Sequence, residues 1–196
     1  MNIAFFDFDG TITRNDSLLK FIRFAVGDLK FLIGLTVLSP MLITYKLKLI
    51  PNYRAKQMML SYYFKDMAEK KFIEAANRYS EEHIDTIIRP SAMEKIKWHQ
   101  SKEDSVVIVS ASLECWLRPW CNKNKLDLIA TRLEFINSKA TGKLLTKNCF
   151  GIEKVNRIKE KYVLEDYNNI YVYGDSSGDK EMLDIADEKF YKFFND

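Results

Sequence analysis

The sequence predicts an α/β fold, with a Rossmann-like parallel sheet flanked by helices and an all-helical cap inserted after the first strand. Short apolar runs suit strands that are buried on both faces, and helical patterns alternate with several of these runs. Between the first two runs lie about ninety residues with no convincing strand. We therefore expect a core of residues 1–14 plus 102–196 and a cap of residues 15–101.

The predicted strands are rich in β-branched or aromatic residues and are, in chain order, 2–8, 105–110, 128–135, 169–174 and 189–194. The predicted helices of the core are 112–122, 152–163 and 179–186. Turn residues within 135–146 indicate a small hairpin or flap there.

The inserted segment carries several helix-start signals. Asp16 or Ser17 is suited to cap a first helix, and Asp66 with Glu69 resembles a capping box for a helix that runs to residue 88. Pro90 suits the first turn of a further helix.

Residues 31–45 carry no charge, and apolar residues fill every side of a helix drawn through them. Lys30 and Lys46 bracket a run shorter than the roughly 20 residues of a membrane-spanning helix, and Pro40 lies in its middle. We favour a buried helical hairpin, with a membrane-dipping element and the wall of a pocket for an apolar substrate as alternatives.

The composition is that of a globular protein, with 47% hydrophobic and 29% charged residues among 196. The net charge of +3 and the lack of a dense basic tract argue against nucleic-acid binding but are compatible with an anionic small substrate. Three cysteines without metal-site spacing, and no secretory signal, predict a cytoplasmic protein. Peripheral membrane contact through residues 31–45 is the alternative location, and the oligomeric state is open.

Four polar residues outside these patterns are assigned packing or surface roles. His83 and His99 lie far from the cysteines and are interpreted as packed or half-exposed residues. For Arg54 and Lys56 we favour solvated surface charges, with contact to an anionic group of the substrate as the alternative.

The densest chemical signal is Asp7-Phe8-Asp9-Gly10-Thr11, directly after the apolar residues 3–6. Residues i and i+2 of a strand share a face, so the carboxylates of Asp7 and Asp9 are expected to share one space. Their repulsion is relieved by a metal ion, a proton or a cationic partner. Gly10 permits a tight turn or a close approach to a ligand.

Three further candidates stand at the ends of predicted core elements, where α/β proteins bind ligands. Ser110 ends an apolar strand before a helix, Lys154 opens another helix, and Asp175 and Asp179 follow the strand 169–174. Each signal alone is also typical of a turn residue, a surface lysine or a helix cap, with Asp175 or Ser177 as the capping residue. Together, the acids suit Mg²⁺.

In this order, the four elements resemble the motifs of phosphatases of the haloacid dehalogenase superfamily. The first motif is matched by residues 7–11, the second by Ser110, the third by Lys154, and the fourth by Asp175 with Asp179. A helical insertion directly after the first motif is similar to subclass IB of that superfamily, the phosphoserine-phosphatase-like branch.

The resemblance implies a catalytic mechanism. Asp7 attacks phosphorus and forms an aspartyl-phosphate, while Asp9 first protonates the leaving oxygen and then activates water. Mg²⁺ is held by the Asp7 carboxylate, the Asp9 backbone carbonyl and Asp175, with Asp179 supporting nearby, and Asp16 contributes to substrate binding. The implied phosphate-binding residues are Gly10, Thr11, Ser110, Ala111 and Lys154.

Two features depart from phosphoserine phosphatases. Gly178 stands where they often carry Asn, and the apolar stretch 31–45 is not what a small zwitterionic substrate requires. In hydrophobic character, this stretch is similar to the insertion of bacterial phosphatidylglycerophosphate phosphatases of type C. We thus expect a Mg²⁺-dependent hydrolase of a small-molecule phosphomonoester. A membrane-associated lipid-phosphate phosphatase and a non-catalytic phospho-ligand-binding module are the alternatives.

Overall fold

The computed structural model describes all 196 residues and contains two sheets. The strands are β1 (Ile3–Phe6), β2 (Ser105–Leu113), β3 (Asp127–Thr131), β4 (Leu133–Ile136), β5 (Lys139–Leu144), β6 (Ile170–Gly174) and β7 (Glu188–Tyr191). Five of them form a parallel sheet in the order β3-β2-β1-β6-β7, while β4 and β5 form an antiparallel hairpin. The predicted parallel α/β sheet is confirmed.

The helices are α1 (Ser17–Val26), α2 (Asp28–Lys46), α3 (Asn52–Phe64), α4 (Glu69–Glu82), α5 (Ile84–Ile87), α6 (Pro90–Ser101), α7 (Glu114–Lys123), α8 (Ile152–Lys161) and α9 (Lys180–Asp184). Helices α1 to α6 all lie between β1 and β2 in the chain. Helix α6 packs against β2, and its His99 bonds to Tyr173 of β6, so this helix lies with the sheet.

The chain leaves the core and returns to it at one place. The Arg14 amide donates to the Ile87 carbonyl at 2.9 Å, and the Arg89 amide donates to the Ile12 carbonyl at 2.8 Å. These paired linkers fix the base of the cap beside residues 7–11, at the end of β1.

Strand β1 is the centre of the core, and its four side chains are fully buried. Ile3 and Phe5 pack with one apolar cluster and Ala4 and Phe6 with the other, as the alternation of a strand requires. The larger cluster continues into the cap, where Phe21 of α1 stacks on Trp116 of α7 with ring centroids 4.5 Å apart. The cap and the sheet therefore share one core.

Residues 31–45 belong to one helix, so the prediction of a buried hairpin is wrong. In α2 only Gly34, Leu38 and Met41 are buried. Pro40 does not break the helix, because the Ser39 hydroxyl donates to the Thr36 carbonyl at 2.8 Å. That carbonyl is the acceptor that an amide at position 40 would have used.

The predicted capping box of Asp66 and Glu69 is also absent. Asp66 has a left-handed backbone (φ 63°), and its amide donates to the Ala140 carbonyl at 2.9 Å. Helix α4 begins at Glu69, whose amide donates to the Ser138 carbonyl at 2.8 Å. The hairpin thus supplies the acceptors that a capping side chain would have supplied, and α4 ends at Glu82 rather than continuing to residue 88.

The predicted strand over 128–135 is divided between the two sheets. Strand β3 ends at Thr131, whose hydroxyl accepts the Cys149 amide at 3.0 Å, and Leu133 already belongs to the hairpin. The amide of the intervening Arg132 donates to the Thr146 hydroxyl at 3.0 Å. The predicted hairpin over 135–146 is confirmed as β4 and β5.

Candidate active site

The sequence-predicted residues come together where β1, β2 and β6 end. Phe6 at the end of β1 is level with Ile108 of β2 and Tyr173 of β6, and the Asp7 amide donates to the Tyr173 carbonyl at 2.9 Å. A cavity of about 420 Å³ lies between this edge and the cap. The polar and charged residues that line it are Asp7, Asp9, Asp16, Asn52, Lys56, Ser112, Lys154, Ser176, Ser177 and Asp179.

Lys154 is the central cation of the site. Its side chain is almost fully buried, and its Nζ donates to Asp7 Oδ1 at 2.5 Å and to Asp179 Oδ1 at 2.6 Å. Burial alone would lower the pKa of Lys154, but the two carboxylates raise it above its usual value. The interpretation of this residue as a solvated surface lysine is therefore excluded.

Asp7 lies in a group of acids with too little positive charge. Carboxylate oxygens of Asp7, Asp175 and Asp179 lie within 4.8 Å of one another, yet the structure pairs this group with the single ammonium of Lys154. Three negative charges against one positive charge leave an excess of two. Burial raises the pKa of Asp7 to about 7, and Asp179 adds to the rise while Lys154 opposes it.

These donors fit a magnesium ion. All of them are carboxylate oxygens, which Mg²⁺ prefers, and a divalent cation would balance the excess charge. Asp175, whose pKa is raised by burial, is half-buried and offers the most accessible carboxylate of the three.

Gly10 and Thr11 both contact Asp175. Gly10 has φ +90°, and a Cβ added there would lie 2.4 Å from Asp175 Oδ2. The Thr11 hydroxyl donates to Asp175 Oδ1 at 3.2 Å. The structure therefore gives both residues a part in positioning Asp175, and their contact with phosphate stays a prediction.

Asp179 organises the loop that carries Asp175. Its Oδ2 accepts the Asp175 amide at 3.2 Å and both the amide and the hydroxyl of Ser176, at 3.0 and 2.8 Å. Burial disfavours the charged form, but Lys154 holds the pKa of Asp179 below its usual value. The helical turn is capped by Ser176, so the alternative in which Asp175 or Ser177 serves as its cap is excluded.

The departure at Gly178 has a steric reason. A Cβ at this position would lie 2.3 Å from the ring of Phe150. An Asn side chain does not fit there in this structure, because the aromatic ring occupies the space.

Asp9 has a different environment from Asp7. Its Oδ1 accepts the Ser17 amide at 2.6 Å, and its Oδ2 accepts the Ser112 hydroxyl at 2.5 Å. Burial raises the pKa of Asp9 to about 6, with a contribution from Asp16, while the serine donors oppose the rise. Asp16 lines the cavity and caps α1, as predicted, by accepting the Leu19 amide at 3.1 Å.

Sequence reasoning missed Ser112. It lies two residues after Ser110 in β2, which extends to Leu113 instead of ending at residue 110. The period of a strand places both serines on one face, and that signal was available in the sequence. Ser110 is buried and its hydroxyl accepts the Ser112 amide at 3.0 Å, so its contact with phosphate stays a prediction.

The interpretation of Lys56 as a surface charge is wrong. This α3 residue is 8% exposed, and its Nζ donates to the Ala111 carbonyl at 2.7 Å and to Asn148 Oδ1 at 3.0 Å. Burial lowers the pKa of Lys56 to about 8. The cap thereby adds a second cation to the lining of the cavity.

Known proteins resemble this chain over nearly its whole length. A family model described as haloacid dehalogenase-like hydrolase matches residues 4–184. The protein CicA of Caulobacter vibrioides is 33% identical over 191 residues, which are 96% of this chain and 85% of CicA.

Two solved structures show the same fold. A protein of unknown function from Bordetella pertussis Tohama I has a TM-score of 0.80 at 20% identity. The match covers 94% of this chain and 86% of the Bordetella chain. A phosphoserine phosphatase with an analogue of its phospho-aspartyl intermediate has a TM-score of 0.68 at 20% identity, covering 94% and 83%. At 20% identity, the similarity to these two structures shows a shared fold and nothing further.

Proposed function

The chain belongs to the haloacid dehalogenase-like hydrolases, and on this premise we propose that it is a Mg²⁺-dependent phosphomonoester hydrolase working through an aspartyl-phosphate. One observation carries the proposal: Asp7 and Asp9 share one strand end but have unequal partners. Asp7 faces the ammonium of Lys154, whereas Asp9 accepts from two neutral donors. Unequal environments are what separates a nucleophile from an acid/base group.

In the first step, a carboxylate oxygen of Asp7 forms a bond to phosphorus while the bond from phosphorus to the leaving oxygen breaks. Asp9 gives its proton to that leaving oxygen. In the second step, Asp9 as a carboxylate takes a proton from the water that attacks phosphorus, and Asp7 leaves as a carboxylate with inorganic phosphate as the product. A pKa near 6 suits both directions of this proton transfer at neutral pH.

The charges around phosphorus are supplied by the residues that the sheet edge brings together. We assign to Lys154 the stabilisation of the equatorial oxygens, with the backbone and hydroxyl groups of Gly10, Thr11, Ser110 and Ala111 as further phosphate contacts. Mg²⁺ would be held by Asp7, the Asp9 backbone carbonyl and Asp175, with Asp179 in support. When bound, it would supply positive charge that offsets the repulsion of the Asp7 carboxylate and the phosphate.

The leaving group is expected to face the cap. Lys56 and Asp16 line the cavity on that side, so a small-molecule phosphomonoester with its own charged groups finds partners of either sign. The lining by cap residues also shields the reaction from bulk water. We place this activity in the cytoplasm.

The test is hydrolysis of an aryl phosphate by the purified protein, with and without added Mg²⁺. The wild type should require Mg²⁺, and Asp7→Asn should be inactive while unfolding at the same temperature as the wild type. Wild-type activity that persists in EDTA would remove the metal from the mechanism. No turnover on a broad panel, despite Mg²⁺-dependent phosphate binding, would indicate a binding module instead.

A second candidate substrate class is a lipid phosphate, and the cavity system favours it. A groove of about 1130 Å³ adjoins the catalytic cavity and shares Tyr45, Asn52, Phe150 and Ser177 with it. Apolar side chains such as Leu144 line it. This space is larger than a phosphoamino acid needs and suits an acyl chain.

Leu145, which lines the groove and is exposed, offers a test of this second candidate. Leu145→Asp should lower kcat/KM for a short-chain lysophosphatidate about tenfold, since apolar contact with the chain is lost. Its kcat/KM for phosphoserine should not change. Ile136→Asp is the matched control, because Ile136 is equally exposed on the hairpin but lies outside the groove. Equal losses on both substrates would contradict an acyl-chain groove.

A further inference from the structure

Helix α2 presents an apolar surface to solvent. The exposed side chains of its outward stripe are Leu29, Leu32, Ile33, Val37 and Ile43, each at least half exposed. Their spacings of one, three, four and six positions place them on one side of the helix, opposite the buried residues. By length and composition α2 could cross a membrane. Only 17% of its most apolar 18-residue stretch is buried in the protein, so α2 differs from an ordinary core helix. A contiguous exposed apolar surface of this kind marks an interaction site.

The opposite side of α2 packs along α3 of the cap. Gly34 packs so closely on Tyr63 that an added Cβ would lie 2.2 Å from the Tyr63 hydroxyl, which itself donates to the Phe31 carbonyl at 2.8 Å. Leu38 and Met41 are buried beside this contact. A helix held along one side is suited to lie on a membrane surface rather than to span it.

The charges around the stripe that lack an ion-pair partner have one sign, since Asp28 at the start of α2 is paired with Arg23 at 2.6 Å. Residues 29–65 contain six Lys or Arg and no Asp or Glu. Lys30 stands at one end of the stripe, and Lys46 and Lys48 stand at the other, all three exposed. Apolar residues between basic ends match the boundary between acyl chains and anionic headgroups.

We propose that this surface, the α2 stripe with its flanking lysines, docks the cap on an anionic lipid bilayer. A second copy of the chain is a poorer occupant, because a two-fold contact brings basic ends against each other. The lysines at the C-terminal end of α2 also line the groove that leads to the catalytic cavity. Docking therefore places the mouth of the groove at the lipid surface. That docking helps a lipid substrate to enter rests on the proposed function, whereas the docking itself does not.

Flotation with vesicles tests the docking directly. The wild type should float with vesicles of phosphatidylcholine and phosphatidylglycerol at low salt, and much less with phosphatidylcholine alone or at high salt. The double variant Leu32→Gln with Val37→Gln should lower the partition coefficient at least about tenfold, since two apolar contacts are lost. Lys46→Gln should lower it about fivefold.

The matched control is Ile136→Gln with Val163→Gln, which changes two apolar side chains of similar exposure away from α2. This control should float like the wild type, and both double variants, whose residues lie outside the groove and the catalytic cavity, should hydrolyse a soluble aryl phosphate at the wild-type rate. The proposal is overturned if the wild type does not float at low salt, or if the α2 double variant floats equally well. It is also overturned if the wild type is a dimer that the α2 variant dissociates and that binds no vesicles. Flotation without hydrolysis of any phosphomonoester would instead contradict the proposed function alone.

Discussion

Ser112→Ala should shift the pH dependence of turnover, because Ser112 supplies one of the two donors to Asp9. The hydroxyl stabilises the ionised form of Asp9, and a hydrogen bond to a charged group contributes about 1.5 to 3 kcal/mol. That loss corresponds to a rise in the pKa of Asp9 by about one to two units. The starting value is about 6, since burial already raises it.

The sign follows from the second step, in which Asp9 must be a carboxylate. A higher pKa moves the acidic limb of the kcat profile to higher pH, so activity falls at low pH and is retained at high pH. At about pH 6 the ionised fraction of Asp9 drops about five- to fiftyfold. An aryl phosphate is the suitable substrate, since its leaving group needs little protonation.

The assay is the pH profile of kcat at saturating Mg²⁺ for the wild type, Ser112→Ala and Ser112→Thr. The threonine variant keeps a hydroxyl and should restore most of the wild-type profile. An acidic limb that is unchanged in Ser112→Ala would refute the assignment of Asp9 as the base held by Ser112. A uniform loss at every pH would indicate a structural role instead.

Three further predictions concern other parts of the site and the core. Gly10→Ala should raise the Mg²⁺ concentration needed for half activity about ten- to a hundredfold, because its Cβ would displace Asp175; an unchanged Mg²⁺ titration would contradict this. Lys56→Met should raise KM about tenfold for substrates with an anionic leaving group only. For these substrates we expect the wild-type KM to rise above about pH 8, as the amine loses its proton, and we expect Lys56→Met to abolish this rise. Steady-state kinetics across pH check it, and equal effects on neutral leaving groups would argue against it. Phe21→Ala should lower the free energy of unfolding by about 3 to 5 kcal/mol in denaturant titrations, since the ring is fully buried between the cap and α7; a loss below about 1 kcal/mol would mean that the cap does not share the core.

The order of motifs at strand ends was predictable because it depends on local patterns. A buried strand followed by acids, serine or glycine places those groups at the same edge whenever the strands are parallel. Residues 7–11, Ser110 and Asp175 are therefore found together without knowledge of the cap. Lys154 was a candidate because a cation at a helix start opposes the helix dipole, but its assignment to phosphate binding required the family resemblance, since a lysine there is usually solvated.

The cap was less predictable because its contacts are distant in sequence. Lys56 has the same local pattern as a surface lysine, and its burial depends on Ala111 and Asn148 from the core. Helix α2 has apolar residues on all sides, so periodicity does not show which side packs against the protein. The carbonyl acceptors that replace a capping box at the start of α4 likewise come from the hairpin, about seventy residues further along the chain.

The central claim is that Asp7 carries the phosphoryl group, and chemical trapping tests it most directly. The wild type is mixed with Mg²⁺ and a phosphomonoester, quenched in acid and reduced with borohydride, which converts an acyl phosphate of aspartate to homoserine. Peptide mass spectrometry should find homoserine at residue 7 and unchanged aspartate at residue 9, and neither Asp7→Asn nor a sample without substrate should show the conversion. Homoserine at residue 9, or turnover with no acyl phosphate on any aspartate, would contradict the mechanism.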